Sequence, residues 1–180
     1  MRRVALTFVL ALAVVIGAAP LGFAGSGSSN DPKGDVEFKP KNRDNVDIVR
    51  TSFGHTSDGR LYHKVTVAGT AADPAKGGVI PFIYVEMRER SSASGVCDIY
   101  IGRYDGELGV FACGTNERLG SARIVKSGKS SIKYVFSRDA IGNPKSYDWA
   151  AGVVGPSDNT QARYDRAPDQ DDVFYTHKLR

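Results

Sequence analysis

The segment that decides the fold runs from Cys97 to Cys113 and reads CDIYIGRYDGELGVFAC. Apolar and polar residues alternate on both sides of Tyr104-Asp105-Gly106, which is the pattern of two antiparallel strands joined by a tight turn. A three-residue loop made of a type I turn and a bulge needs positive φ at its last position, which favours Gly106. The segment is therefore predicted to form a β-hairpin.

A loop of this length also sets the register of the hairpin. The predicted facing pairs are Arg103 and Glu107, Ile101 and Gly109, Ile99 and Phe111, and Cys97 and Cys113. Directly opposed residues have Cα atoms about 4.5 to 5.5 Å apart, a separation that a disulfide tolerates. We therefore expect a disulfide between the two cysteines, and the alternative is a pair of buried free thiols.

The rest of residues 31–180 continues this pattern of short apolar segments, which Gly, Asp, Asn and Pro interrupt every ~8 to 15 residues. The predicted strands cover residues 46–53, 61–67, 79–87, 97–103, 107–113, 122–125, 132–136, 147–154 and 173–179. One helical turn is expected at Arg138 to Ile141, with Ser137 as its N-cap and Gly142 at its left-handed exit. The expected fold is an all-β antiparallel β-sandwich, jelly-roll or immunoglobulin-like, with one short helical turn and one disulfide.

Residues 1–24 have the layout of a secretory signal peptide, with a basic Arg2-Arg3 start, an apolar run and small residues before a cut after Ala24. A membrane anchor is the alternative, because the run approaches the shortest length that spans a ~30 Å hydrocarbon core. Pro20 and the Gly/Ser-rich residues 25–30, predicted to be a flexible linker, favour cleavage. We therefore expect a secreted, extracytoplasmic domain over residues 31–180 with no membrane attachment after cleavage, where a disulfide persists.

Composition and motifs argue against two classes of function. The chain carries 24 Lys and Arg against 20 Asp and Glu, and the basic residues are scattered, so no nucleic-acid partner is expected. The sequence contains no Gly-x-Ser-x-Gly, His-Glu-x-x-His, phosphate-binding glycine loop or Cys-x-x-Cys. We therefore predict that the protein is not an enzyme.

Several short motifs carry a family resemblance. They are Asp31-Pro32-Lys33-Gly34-Asp35, Asp47-Ile48-Val49, Gly59-Arg60-Leu61, the segment from Ser137 to Pro144, and Val173-Phe174-Tyr175. In these features the chain resembles small exported bacterial β-sandwich domains akin to family-9 carbohydrate-binding modules and the DOMON group. The resemblance implies a sandwich fold and a sugar slot lined by tryptophans, of which this chain has one.

Sugar recognition needs exposed aromatic rings, because the apolar face of a pyranose stacks on them. The candidate ligand-binding residues are Trp149, Tyr84 and Tyr100, and further rings are supplied by Tyr62, Tyr104 and Tyr164. The alternative for Trp149 is a core position, and the tyrosines could equally cover sheet edges. The expected partner is an extracellular carbohydrate or protein.

Acidic residues form two groups near the ends of the predicted domain. The candidate metal ligands are Asp31, Asp35, Asp169 and Asp171, with Asp165 and Asp172 close by. Carboxylates of this kind suit a structural Ca²⁺, and the expectation is either that cation or no cofactor. If the first and last strands are neighbours, the two acidic loops are expected to share a cation. The alternative is that these aspartates cap their own turns.

The sequence therefore predicts a secreted, non-catalytic binding module with carbohydrate as its ligand. The alternative is an exported structural or protein-interaction domain without a small-molecule site. The DOMON likeness implies a third possibility, a haem-binding electron-transfer domain, with Met87 and one of His55, His63 and His177 as axial ligands. Packing in a strand is the more ordinary role for Met87.

Overall fold

The computed structural model describes residues 23–37, 43–72, 82–89, 97–157, 160–169 and 173–179. The predicted leader up to residue 22, together with Asp171 and Asp172, lies outside these ranges. No helix within them is long and apolar enough to cross a membrane.

Strands dominate the described chain. They are β1 (Phe23–Ala24), β2 (Gly27–Asn30), β3 (Ile48–His55), β4 (Leu61–Val67), β5 (Phe82–Glu89), β6 (Ile99–Tyr104), β7 (Glu107–Ala112), β8 (Arg118–Lys126), β9 (Ser131–Phe136), β10 (Ser146–Ser157), β11 (Thr160–Ala167) and β12 (Tyr175–Lys178). Short 3-10 turns cover Arg43–Asn45 and Arg138–Ile141.

These strands form one sheet in the order β1-β12-β10-β5-β6-β7-β8-β9-β4-β3-β2, with β11 also paired to β10. Their pairings are antiparallel apart from that of β1 with β12. Strand β8 changes partner along its length, because its first residues pair with β7 and Ala122–Lys126 pair with β9. The sheet is thereby curled into a half-barrel, and the predicted all-β antiparallel class is confirmed.

The core lies on the concave side of this sheet. Alternate residues of β4 point inward, so that Leu61, His63 and Val65 are buried while Tyr62 and Lys64 are only half-buried. Inward side chains of β6 and β9 meet them, and each fully buried aliphatic residue contributes about 1.5 to 3 kcal/mol. The strict alternation of β4 explains why its predicted bounds match the structure.

The central hairpin forms with a different loop from the one predicted. Asp105 and Gly106 alone make the turn, with φ values of 45° and 79°, so the three-residue loop was wrong. Two positive φ values are the mark of a type I′ turn, whose twist matches that of the flanking strands and which Asp-Gly favours. The facing pairs consequently move by one residue, and Tyr100 lies opposite Phe111.

The predicted disulfide is nevertheless present between Cys97 and Cys113. Asp98 takes the place directly facing Cys113, whose N–H donates to the Asp98 carbonyl at 2.9 Å. The two cysteines remain bonded because their Cα atoms are 5.9 Å apart, within the range that a disulfide spans. A disulfide indicates an oxidising, extracytoplasmic setting.

The helical turn is confirmed in detail, whereas three strands were missed, the first of them β1 at Phe23–Ala24, which pairs with β12. The Asp139 N–H donates to Ser137 Oγ at 3.2 Å, and Gly142 adopts the left-handed conformation with φ 76°. Residues 27–30, predicted to be part of a flexible linker, instead form β2 on the free edge of β3. Strand β11, with its sequence TQARYDRA, carries too few apolar residues to reveal itself by alternation.

Candidate functional site

An open cleft of about 560 Å³ lies on the outward face of β5 and β6. We call it the tyrosine cleft, and its lining residues are Tyr84, Cys97, Tyr100, Arg103, Tyr104, Asp105, Asn116 and Val154. Two of the three predicted ligand-binding residues, Tyr84 and Tyr100, thus lie in one cavity. Tyr104 joins them and is 46% exposed.

Glycines make room for the rings of the tyrosine cleft. Tyr84 projects outward because its neighbour Val85 fills the core, and its ring lies over Gly152, which it faces across the strands. A Cβ on Gly152 would overlap this ring. Gly102 lies between the two tyrosines, since a Cβ there would be 3.5 Å from Tyr84 and 3.6 Å from Tyr100. The absence of side chains at these two positions lets the rings of Tyr84 and Tyr100 lie close against the sheet.

Phe111 supports the tyrosines from the next strand. It is only 2% exposed, yet it lies outside the hydrophobic core, under the outer aromatic layer. Its ring is stacked on Tyr100 with centroids 5.3 Å apart and meets Tyr104 edge-on at 5.9 Å. Offset-stacked and edge-to-face pairs of this kind are mutually stabilising, so the rings are held in fixed orientations.

Polar groups flank the rings. The Tyr100 hydroxyl donates to Asn116 Oδ1 at 3.0 Å, and Arg103 Nε donates to the Gly106 carbonyl at 2.8 Å. Burial raises the pKa of the Tyr100 hydroxyl, which therefore stays protonated at neutral pH. The Cys97–Cys113 disulfide fixes one end of the cleft. This combination of aromatic faces with amide, guanidinium and carboxylate groups suits an uncharged polar ligand with one apolar face.

The other predicted ligand-binding residue is in the core. Trp149 is 1% exposed, and its ring contacts His63 and Tyr175 at centroid distances of 4.4 and 5.0 Å. A ring enclosed in this way offers no face to a sugar, so Trp149 is corrected to a core residue. Phe111 was missed as a site residue, because an aromatic residue in a strand indicates the core rather than an outer layer.

The structure also brings together four aspartates, which we call the aspartate cluster. They are Asp31, Asp35, Asp165 and Asp169, and their carboxylate oxygens lie within 4.8 Å of one another. The first two follow β2, whereas the others belong to the end of β11 and the residues after it. The cluster therefore brings together residues from the early and the late parts of the described chain.

Asp31 and Asp165 are the poorly solvated members of the aspartate cluster, whereas Asp35 and Asp169 are exposed. Asp165 is 4% exposed and accepts hydrogen bonds from the N–H groups of Ile48 and Arg166. Burial raises the pKa of Asp165 to about 7, although these two N–H groups oppose the shift. Burial and the neighbouring charge of Asp169 raise the pKa of Asp31 to about 8. At neutral pH the cluster therefore holds protons that a bound cation would displace.

A fifth carboxylate lies behind the cluster. Asp47 is 1% exposed, and its Oδ2 accepts the Gly34 N–H at 2.9 Å. Within the described part of the chain, its Oδ1 has no hydrogen-bond partner. The buried Arg166 forms an ion pair with Glu86, to which its Nε donates at 2.9 Å, and its guanidinium lies over the Phe174 ring.

Two of the histidines named as haem-ligand candidates, His63 and His177, belong to a polar network inside the core, whereas His55 is exposed and its Nδ1 lies 3.1 Å from the Gly25 carbonyl oxygen. The Tyr147 hydroxyl lies 2.8 Å from His63 Nε2 and 2.8 Å from His177 Nδ1. Burial lowers the pKa of His63 well below its usual range and that of His177 to about 4, so both rings are neutral at pH 7. Met87 is 2% exposed among the core residues. His63, His177 and Met87 therefore contribute to the packing of the core in this structure.

Comparison with known proteins adds no identification. No protein-family model, curated protein or solved structure matches the chain. The function is consequently inferred from the geometry and chemistry of the sites themselves.

Proposed function

We propose that this chain is an exported, non-catalytic binding module and that the tyrosine cleft binds carbohydrate. The observation that carries the proposal is the grouping of Tyr84, Tyr100 and Tyr104 around one cleft, above a supporting layer formed by Phe111. Sugar rings present apolar C–H faces to such aromatic surfaces and direct their hydroxyls toward polar groups at the rim. Asn116, Asp105 and Arg103 supply those groups.

The size and chemistry of the cleft agree with a saccharide ligand. A volume of about 560 Å³ lies within the range of small-molecule sites, ~300 to 1,000 Å³. Among the described lining residues, Asp105 is the single carboxylate, whereas glycosidases use two carboxyl groups across the scissile bond. Binding without cleavage is therefore the function that this cleft supports best. The disulfide supports export, because disulfides persist in oxidising compartments. We also propose that the curled sheet closes into a two-layer sandwich.

The test is a glycan array followed by calorimetric titration of the best oligosaccharide. Tyr84→Ala and Tyr100→Ala should each weaken binding by about tenfold, the loss expected when ~1.4 kcal/mol of ring contact disappears. Leu119→Ala is the control, because Leu119 is an exposed apolar side chain on β8 that does not line the cleft. Equal affinity of all three variants would contradict the proposal, as would an array with no bound glycan.

We also propose that the aspartate cluster binds Ca²⁺. Calcium takes six to eight oxygen ligands at ~2.3 to 2.6 Å, and four convergent carboxylates supply a large share of them. A cation here would connect the loop after β2 to the end of β11, which is a structural role. An exported structural or protein-interaction domain remains the second candidate function, because this role needs no sugar site.

A further inference from the structure

A second cleft, of about 630 Å³, lies on the outward face of β3, β4, β8 and β9. We call it the basic cleft. Its rim carries Arg123 and Lys133, and Val135 and Tyr62 form its floor. Thr56 stands at one end, where its hydroxyl donates to the Arg60 carbonyl at 3.1 Å.

The floor of the basic cleft is apolar. Val135 is 1% exposed but lies outside the hydrophobic core, and it is covered from the outward side of the sheet. The Tyr62 ring leans over Gly54, where a Cβ would be 3.0 Å from the ring. Val125 adds an exposed apolar surface beside them. A ligand in this cleft would therefore meet the apolar surfaces of Tyr62 and Val125 beside the polar groups of the rim.

The rim is positively charged without compensation. Neither Arg123 nor Lys133 forms an ion pair within the described ranges, and the Lys133 ammonium instead lies 4.1 Å from the centre of the Tyr62 ring. Lys64 faces Lys133 directly across β4 and β9. Like charges in directly opposed strand positions destabilise a sheet, so this arrangement is costly unless an anion offsets it.

The carboxylate in the cleft does not supply that anion. Asp58 is paired with the Arg60 guanidinium, whose Nε donates to Asp58 Oδ2 at 2.9 Å. Hydrogen bonds from Arg60 and Thr56 hold the pKa of Asp58 below its usual range. The charges of Asp58 and Arg60 cancel, and those of Arg123 and Lys133 remain.

We infer that the basic cleft binds an acidic sugar unit, a ring that carries a sulfate or carboxylate group. On binding, the Lys133 ammonium would turn from the Tyr62 ring to the anionic group, and the uncovered ring, with the exposed Val125 beside it, would take the C–H face of the sugar. The Arg123 fork and the Lys133 ammonium would bind the anionic group through charge-assisted hydrogen bonds. This inference does not depend on the tyrosine cleft, which lies on different strands and has no comparable excess of cations.

The experiment is a calorimetric titration of the full exported chain with a heparin hexasaccharide. Arg123→Gln and Lys133→Gln should each weaken binding by about tenfold or more, the usual effect of losing a hydrogen bond to a charged group. The matched control is Lys129→Gln, which removes the same charge from the exposed residues between β8 and β9. Its affinity should equal that of the wild type, and melting curves would verify that each variant is folded.

Three further titrations identify what is recognised. Inorganic sulfate and a neutral hexasaccharide should bind far more weakly than the heparin hexasaccharide, because each offers only one of the two features. Tyr84→Ala should leave the heparin affinity unchanged, which separates this site from the tyrosine cleft. The inference is overturned if Lys129→Gln weakens heparin binding as much as Arg123→Gln does. It is also overturned if polyglutamate, a polyanion without sugar rings, binds as tightly as heparin, or if heparin does not bind.

Discussion

Calcium should stabilise this protein in a pH-dependent way, and removing one carboxylate of the aspartate cluster should abolish the effect. The perturbation is Asp169→Asn, which lowers the charge of the cluster at an exposed position and leaves the buried hydrogen bonds of Asp165 intact. If calcium is present at a hundredfold excess over its Kd, the folded state gains about 2.7 kcal/mol. For a chain of 180 residues this raises the Tm by about 5 to 10 °C.

The sign of the pH dependence follows from the raised pKa values. An aspartate side chain ordinarily has a pKa of 3.8, whereas in the folded protein the values are about 7 for Asp165 and about 8 for Asp31. Between these limits the folded state holds protons that the unfolded state has released. Without calcium, the contribution of these two aspartates to stability is therefore largest below pH 4 and falls as the pH rises toward 7 or 8, by up to ~1.4 kcal/mol per pH unit for each group.

Calcium must displace these protons, so its effect should grow with pH. The assay is thermal unfolding followed by circular dichroism, in calcium and in EDTA, at pH 6 and pH 8. The Tm difference between the two solutions should be larger at pH 8, and Asp169→Asn should abolish most of it. Glu107→Gln, which removes an exposed carboxylate far from the cluster in sequence, should respond to calcium like the wild type. Identical melting curves in calcium and EDTA at pH 8 would refute the reasoning.

Three other predictions concern stability and maturation. Replacing both cysteines by Ser should lower the free energy of unfolding by about 3 kcal/mol and the Tm by several degrees, because the disulfide closes a loop with a sequence separation of 16; an unchanged Tm would contradict a stabilising role. The imidazole NMR signals of His63 and His177 should stay at their neutral positions down to pH 5, because burial lowers both pKa values. Their contribution to stability should accordingly be complete above pH 6.5 and decline as the pH falls toward 4, and a titration of either ring near pH 6.5 would contradict the burial. Mass spectrometry of the exported protein should find an N-terminus at or next to Gly25, and a membrane-retained chain beginning at Met1 would favour an anchor instead.

Local sequence signals were sufficient for the regular parts of the fold. The bounds of β4 follow from its alternation, and the turn at Arg138–Ile141 follows from Ser137 and Gly142. The hairpin shows the limit of such signals. Asp105-Gly106 fits both a two-residue and a three-residue loop, and only the pairing of whole strands selects between them. The disulfide was predicted correctly despite the error in register, because its formation depends on the Cα separation of the two cysteines, and 5.9 Å is within the permitted range.

The parts that sequence could not supply depend on tertiary contacts. Strand β2 exists because the edge of β3 offers it hydrogen-bond partners, which the Gly/Ser composition does not reveal. Trp149 and Phe111 are both buried aromatic residues in strands, yet one faces the core and the other supports the tyrosine cleft. Their roles depend on which side of the curled sheet each strand presents. The two acidic loops could be predicted from the sequence. That they lie close together could be seen only from the strand order of the structure.

The most direct test of the central claim, that the tyrosine cleft binds carbohydrate, is an NMR titration of the protein, in a buffer that contains calcium, with the oligosaccharide selected on the glycan array. The reporting backbone amides are those of Gly102 and Gly152, which lie against the rings of Tyr84 and Tyr100, and of Asn116, whose side chain accepts a hydrogen bond from the Tyr100 hydroxyl. The account predicts that the largest chemical-shift changes are confined to these amides and their neighbours, and that Tyr100→Ala removes them. Shifts centred on another surface, or no shifts at millimolar oligosaccharide, would contradict it.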